Sequence, residues 1–211
     1  MSQAKLQRRR VRLAPEDRER EIVHSAVGFF AENGFTGQTR ELARSIGVSQ
    51  ALIFRYFPTK EDLIDRVYEE VFSRNWKPNL ALLTSRGHSL EHRLRAFYCD
   101  YANLILGHDY TRLLLFAALN KVNFHKRLFI KIAKDIYPVV IDELRASCGK
   151  PSTAKKAPTE DEIESVWGLH AAIFFLGIRE HVFGMRVPPA DEMVALKVRT
   201  FLDGVPAILE G

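Results

Sequence analysis

Four residues within one short stretch, Gln50, Ala51, Phe54 and Arg55, share a helical spacing, and Gln50, Ala51 and Arg55 are of types that suit the edges of DNA base pairs. On a helix from about Gln50 to Tyr56 they face outward together. A short helix that starts with small and amide-bearing residues can enter a major groove about 12 Å wide. The uncharged Gln50 amide suits adenine, and Arg55 adds a cation. Lys60, at the start of the next helix, suits a phosphate.

These side chains need two short helices crossing at a fixed angle. Leu42, Ala43, Ile46, Val48, Ile53 and Tyr56 occupy the positions such a pair would bury. Ala43 is small where the second helix must approach closely. Gly47 lies where the chain leaves the first short helix, and a left-handed conformation there suits glycine. Ser49 reads as the cap of the second, its hydroxyl accepting from a free amide of the first turn. Pro58 stops that helix and Thr59 caps the next one. A preceding helix from Pro15 to Asn33-Gly34 carries Ile22, Val23, Ala26, Phe29 and Phe30 as one apolar stripe and supplies the core behind the pair. Gly34 to Lys60 thus reads as a helix-turn-helix. A helical hairpin inside an ordinary core would share the pattern, but turn, cap, small residue and basic ends all agree over this one stretch.

The pattern GF-x3-TRELA-x3-GVS-x-A-x2-FRYF-x-TKEDL resembles the N-terminal signature of the TetR (tetracycline-repressor) family of bacterial transcription regulators, over about Ile22 to Val67. The resemblance implies an all-helical homodimer whose N-terminal domains bind a palindromic operator. It also implies a divergent C-terminal domain that binds a small molecule and releases the DNA. Arg40, Ser49, Tyr56 and Lys60 would hold phosphates, and Gln50, Ala51 and Arg55 would face bases. The chain departs from the family pattern at Gln38, where a capping Thr or Ser is usual, and at Phe54, where Tyr is frequent. It departs again at Gln50, where Lys is frequent, and at Arg55, which replaces a frequent His or Tyr. Its sequence preference should therefore be its own.

Charge supports a nucleic-acid partner. The net charge is +5, and residues 1–60 carry 11 Lys and Arg against 6 Asp and Glu, whereas residues 61–211 balance 20 against 20. Residues 1–14 read as a flexible basic arm, either solubilising or lying along a minor groove. Cys99 and Cys148 have no metal or redox spacing and read as reduced thiols of a cytoplasmic protein. No apolar run is long enough to span a membrane, and the N-terminus lacks the apolar core of a signal peptide.

The remaining residues alternate helix and turn. Helices are expected over about Lys60–Trp76, Leu90–Leu106 (capped by Ser89), Tyr110–Asn120, Phe124–Ala146 (kinked at Pro138), Glu160–Phe183 and Ala190–Leu209. Residues 149–159 read as a mobile loop, and Thr159 with Glu162 forms a capping box. The acidic residues from Glu160 to Glu164 read as a solvated helix start. The stretch Trp167–Ile178 is apolar nearly all round, so both of its sides must be covered. A second copy could cover one of them, giving a four-helix interface through Trp167, Ala171, Phe174, Phe175, Ile178, Val198, Phe201 and Leu202. Burial within the chain's own core is the other possibility.

Aromatic residues crowd the middle of the chain. Phe72, Trp76, Phe97, Phe116 and Phe124, with Tyr101, Asn120, Asn123 and His170 as polar groups, are candidates for an apolar ligand pocket, although any one of the aromatics could simply be core. His88 and His92 are four apart, but Ser89 as a cap places His88 outside the helix, so no metal site is expected. No catalytic triad, phosphate-binding glycine loop or nucleotide fingerprint occurs, so neither an enzyme nor a cofactor is expected.

The expectation is therefore an all-α chain. Residues 1–14 form the arm, residues 15–60 a three-helix DNA-binding domain, and residues 61–211 a helical ligand-binding and dimerisation domain. Its partners would be a double-stranded operator, a small-molecule effector and a second copy, with no membrane. A DNA-binding protein without a small-molecule switch, acting in chromosome organisation or through a protein partner, is the alternative.

Overall fold

The computed structural model describes residues 14–73 and 79–210, and all regular structure among them is helical. The basic arm, apart from Ala14, lies outside the described residues, as do Trp76 and Pro78.

Helix α1 (Pro15–Asn33) opens with Pro15 in its first turn, where a missing N–H costs nothing, and with Glu16 and Asp17 at the positive end of its dipole. Ile22, Val23, Ala26 and Phe30 are buried, and the helix ends at Gly34 with φ 68°. Helices α2 (Thr39–Ser45), α3 (Gln50–Tyr56) and α4 (Lys60–Tyr68) follow. The single helix expected from Lys60 instead changes to a π-helical turn at Glu69–Ser73. Wider turns of this kind shift the side-chain register, and here Phe72 ends up buried.

Then come α5 (Ala81–Thr84), α6 (Leu90–Ile105), α7 (His108–Leu119), α8 (Phe124–Asp135), α9 (Tyr137–Ser147), α10 (Glu160–His181) and α11 (Ala190–Glu210). Where one kinked helix was expected over 124–146, the structure has two. Pro138 has no N–H to donate and its ring blocks the carbonyl four residues back, so it sits in the first turn of a new helix.

Helix α1 packs on α2, α4 and α7, while α10 touches α6, α7, α9 and α11, and α11 lies on α6 and α10. One apolar core runs unbroken from Ile22 to Val198.

The segment 149–159 is not loose as expected. Buried Arg145 donates to the carbonyls of Pro151, Lys156 and Ala157, and Asp142 accepts from the Thr153 amide at 2.6 Å. Glu162, expected as a solvated residue, is buried and paired with Arg145 through two bonds of 2.7 Å. The hydrogen bonds from Arg145 hold its carboxyl below the usual range, against the opposing effect of burial. Composition alone shows a polar linker, whereas Arg145 and Asp142 of the preceding helix tie down its backbone.

Candidate nucleic-acid interface and the helices behind it

The turn between α2 and α3 is built as its sequence suggests. Gly47 has φ 66°, a left-handed conformation that residues with a Cβ rarely adopt. Ser49 Oγ accepts from the Leu52 amide at 3.2 Å. Thr59 and Asp62 form a reciprocal capping box at the start of α4, with bonds of 2.9 and 3.0 Å. Leu42, Ala43 and Ile53 are buried, and Ile46, Val48 and Tyr56 are half-buried beside them. Gln38, at the cap of α2, makes no capping bond through its side chain.

Ala51, Phe54 and Arg55 are exposed along α3, as is Arg40 near the start of α2. Lys60 is half-buried. Between Gly34 and Lys60 the cations are Arg40, Arg44, Arg55 and Lys60, against the single carboxylate of Glu41. Gln50 differs from the other outward residues. Its Nε2 donates to Thr39 Oγ1 at 2.8 Å and pins the start of α3 to the start of α2. This bond commits one of the two Nε2 hydrogens, so Oε1 and the second N–H are what remain for a base. Sequence reading missed Thr39, a buried hydroxyl whose partner lies eleven residues away.

Residues 22–67 match the profile of the bacterial regulatory proteins, tetR family. The chain carries a TetR-family DNA-binding domain. A 65-residue segment is 40% identical to the HTH-type transcriptional regulator LuxR of Vibrio harveyi, covering 30% of this chain and 32% of that protein. The chain thus matches about a third of the length of that curated relative. Two solved structures share the whole fold. A candidate TetR-family transcriptional regulator from Mesorhizobium loti MAFF303099 aligns over 90% of this chain and 98% of its own, with TM-score 0.55 and 16% identity. A TetR family transcriptional regulator from Pseudomonas syringae pv. tomato str. DC3000 aligns over 89% and 96%, with TM-score 0.58 and 18% identity. At such identities these two establish the fold alone.

The TetR-type domain is bolted to the helices behind it by backbone as well as rings. Arg112 on α7 donates from Nε to the Ala31 carbonyl at 2.6 Å, and its Nη atoms reach the Glu32 and His181 carbonyls at 3.3 and 3.2 Å. One guanidinium therefore binds the C-terminal ends of α1 and α10, where carbonyls lack helical partners. The available signal was a lone cation inside the apolar run Thr111–Leu119. Phe124 packs against Phe35, Tyr68 and Phe72 at ring distances of 5.3, 5.5 and 5.0 Å. Arg127 lies over the Tyr68 ring and pairs with Asp65 and Glu69.

Behind α7 lies a cavity of about 100 Å³, lined by Tyr101, Ile105, Tyr110, Leu114, Leu128, Phe129, Ile132, Trp167, His170, Ala171 and Phe174. Of the sequence-expected ligand residues, Tyr101 and His170 line it. Phe72, Phe97 and Phe124 are buried in the surrounding core instead. Phe116 lies beneath Arg112, and Asn120 is exposed with its amide bonded to the Phe116 carbonyl at 2.8 Å. Trp167, Ala171 and Phe174, expected on a partner face, line the cavity. His170 is buried; Tyr98, also buried, is bonded to its Nδ1 at 3.1 Å. Burial lowers the imidazole pKa to about 3, so the ring is neutral at pH 7.

Val198 is fully buried within the chain, so it fills the core rather than facing a partner. Phe175 is 47% exposed, and Ile178, Phe201 and Leu202 are half-buried. An open groove of about 460 Å³ separates α10 from α11, floored by small residues including Gly168, Ala172 and Gly204.

Proposed function

We propose that the chain is a sequence-specific transcriptional regulator. It acts as a homodimeric repressor and leaves a palindromic operator when a small, mainly apolar molecule enters the cavity. Residues 15–60 dock on DNA, and residues 61–211 hold the effector and the second copy. Arg55 and the apolar Ala51 and Phe54 meet base edges and thymine methyls, and Gln50 contributes Oε1 and its remaining N–H. Arg40, Ser49, Tyr56 and Lys60 hold phosphates and set the register.

One contact carries this reading. Phe72, at the end of the helix that starts at Lys60, lies 4.6 Å ring to ring from Tyr110, a wall of the cavity. A ligand that displaces Tyr110 moves the helix adjoining the recognition helix. Two recognition helices must reach half-sites about 34–36 Å apart, so a shift of a few ångströms spoils joint docking. The exposed Phe175 and Leu196, with the small residues of the α10–α11 groove, support a partner on that face.

Selection from a random duplex library tests the proposal, followed by anisotropy titration of the winning sequence and sedimentation of the free protein. The expected result is an enriched palindrome and a dimer. Failure to enrich any sequence, or a monomer at micromolar concentration, would refute it.

A further inference from the structure

The chemistry of the cavity wall narrows the effector class. Among the described residues, three buried side-chain polar atoms lack a hydrogen-bond partner: Thr111 Oγ1, Tyr137 Oη and His170 Nε2. Of these residues, only His170 lines the cavity. An unpartnered buried polar group costs about 1–3 kcal/mol, so a ligand that satisfies it gains affinity an apolar isostere cannot.

The polarity of that atom follows from its neighbour. The Tyr98 hydroxyl is fully buried, and its hydrogen bond runs to His170 Nδ1. If Nδ1 carried the hydrogen, the phenol hydrogen would itself be left without this acceptor. With Tyr98 donating, Nδ1 accepts, and the ring's one hydrogen sits on Nε2. His170 therefore holds an unpaired, fully buried donor within the cavity wall. The other lining side chains include no Lys, Arg, Asp or Glu. A carboxylate or an ammonium would lose its hydration with no counter-charge on the wall.

We infer that the cavity selects an uncharged, single-ring or similarly compact apolar molecule bearing one hydrogen-bond acceptor, such as a carbonyl oxygen, placed against His170 Nε2. The cavity of about 100 Å³ is smaller than the about 150 Å³ of a dry protein cavity that holds benzene, so a single ring is the upper limit and enters only by displacing a wall side chain such as Tyr110. The edge-on Phe129 and Trp167 rings, 5.2 Å apart, and the Tyr101 ring, 4.8 Å from the imidazole, give flat apolar walls around the donor. This inference rests on the proposed effector role of the cavity.

Cyclohexanone, its shape-matched alkene methylenecyclohexane and cyclohexanecarboxylate separate the possibilities. Calorimetric titration of the full chain should show cyclohexanone binding. His170→Phe should weaken cyclohexanone about tenfold, the worth of one buried hydrogen bond, and change methylenecyclohexane less than about twofold. The carboxylate should not bind. In the unsubstituted protein, the ¹⁵N resonance of His170 Nε2 should move with the ketone and stay put with the alkene, a readout that needs no variant. Equal effects of His170→Phe on ketone and alkene, an unmoved resonance, or tighter binding of the carboxylate would overturn the donor role and leave an apolar pocket. If neither ring compound binds, the effector reading of the cavity itself fails.

Discussion

Replacing His170 by glutamine should remove a measurable part of the protein's sensitivity to acid. The folded imidazole titrates near pH 3 because burial penalises its charged form, whereas an unfolded histidine titrates near 6.5. The folded pKa is lowered, so the stabilisation is complete above 6.5 and is lost as pH falls toward 3. Over that window the unfolded chain takes up a proton that the folded chain refuses. At pH 5.0 the gap is about 1.5 pH units, worth roughly 2 kcal/mol at about 1.36 kcal/mol per unit. At pH 7.5 the same linkage contributes almost nothing. The assay is urea unfolding of both proteins at pH 7.5 and 5.0, at fixed salt and protein concentration. The glutamine carbonyl can still accept from Tyr98, and any packing cost appears at both pH values. Wild type should lose about 2 kcal/mol more than the variant between them. Equal losses would mean that His170 is charged in the folded protein and that the neutral-donor argument is unsound.

Arg55→Ala should weaken operator binding by about 1–3 kcal/mol if the guanidinium reads a base, measured by anisotropy; unchanged affinity would remove that role. Gln50→Ala and Thr39→Val should each destabilise the protein by about 0.5–1.5 kcal/mol, and the double variant should cost little more than either, because both remove one bond. Additive losses in urea unfolding would show that the Gln50–Thr39 bond is not formed in solution. Arg145→Met should cost about 3–5 kcal/mol of stability by stranding Glu162, and adding Glu162→Leu should recover part of it. No recovery would place the loss in the carbonyls of the 151–157 segment instead.

The helix-turn-helix was legible because its determinants are local. Gly47, Ser49 and Thr59 act within three or four residues of themselves, and the structure bears out each of those turns and caps. The Gln50 tie was not legible, since its partner is Thr39 on another helix. For the same reason the cavity was only half visible. Tyr101 and His170 were read as its polar groups, but Phe72, Phe97 and Phe124 look identical in sequence and belong to the core. The middle of helix α10, Trp167–Ile178, is apolar nearly all round, which tells that both sides are covered but not by what. The side carrying Trp167 and Phe174 lies against the cavity, and Phe175 remains outside. Arg145 and Glu162 show the opposite error, in which charges read as solvent-facing are buried because each supplies the other's partner.

Residues 14–60 hold six cations and six carboxylates, so the excess of the N-terminal third resides in residues 1–13.

Arg112 makes its three hydrogen bonds, at 2.6–3.3 Å, to main-chain oxygens, with the Glu32 carboxylate 3.8 Å away and the Phe116 ring beneath it. The three carbonyl bonds do not depend on which side chains stand at Glu32 or His181, so a change there would leave them in place and remove only the longer Glu32 ion pair, while Arg112 has no substitute. Variation at this joint is therefore one-sided. An N-terminal domain transplanted from a distant relative would still present the same carbonyls to it. Such a joint favours recombination of reading heads with sensing bodies, since fit depends on where a helix stops rather than on what it is made of.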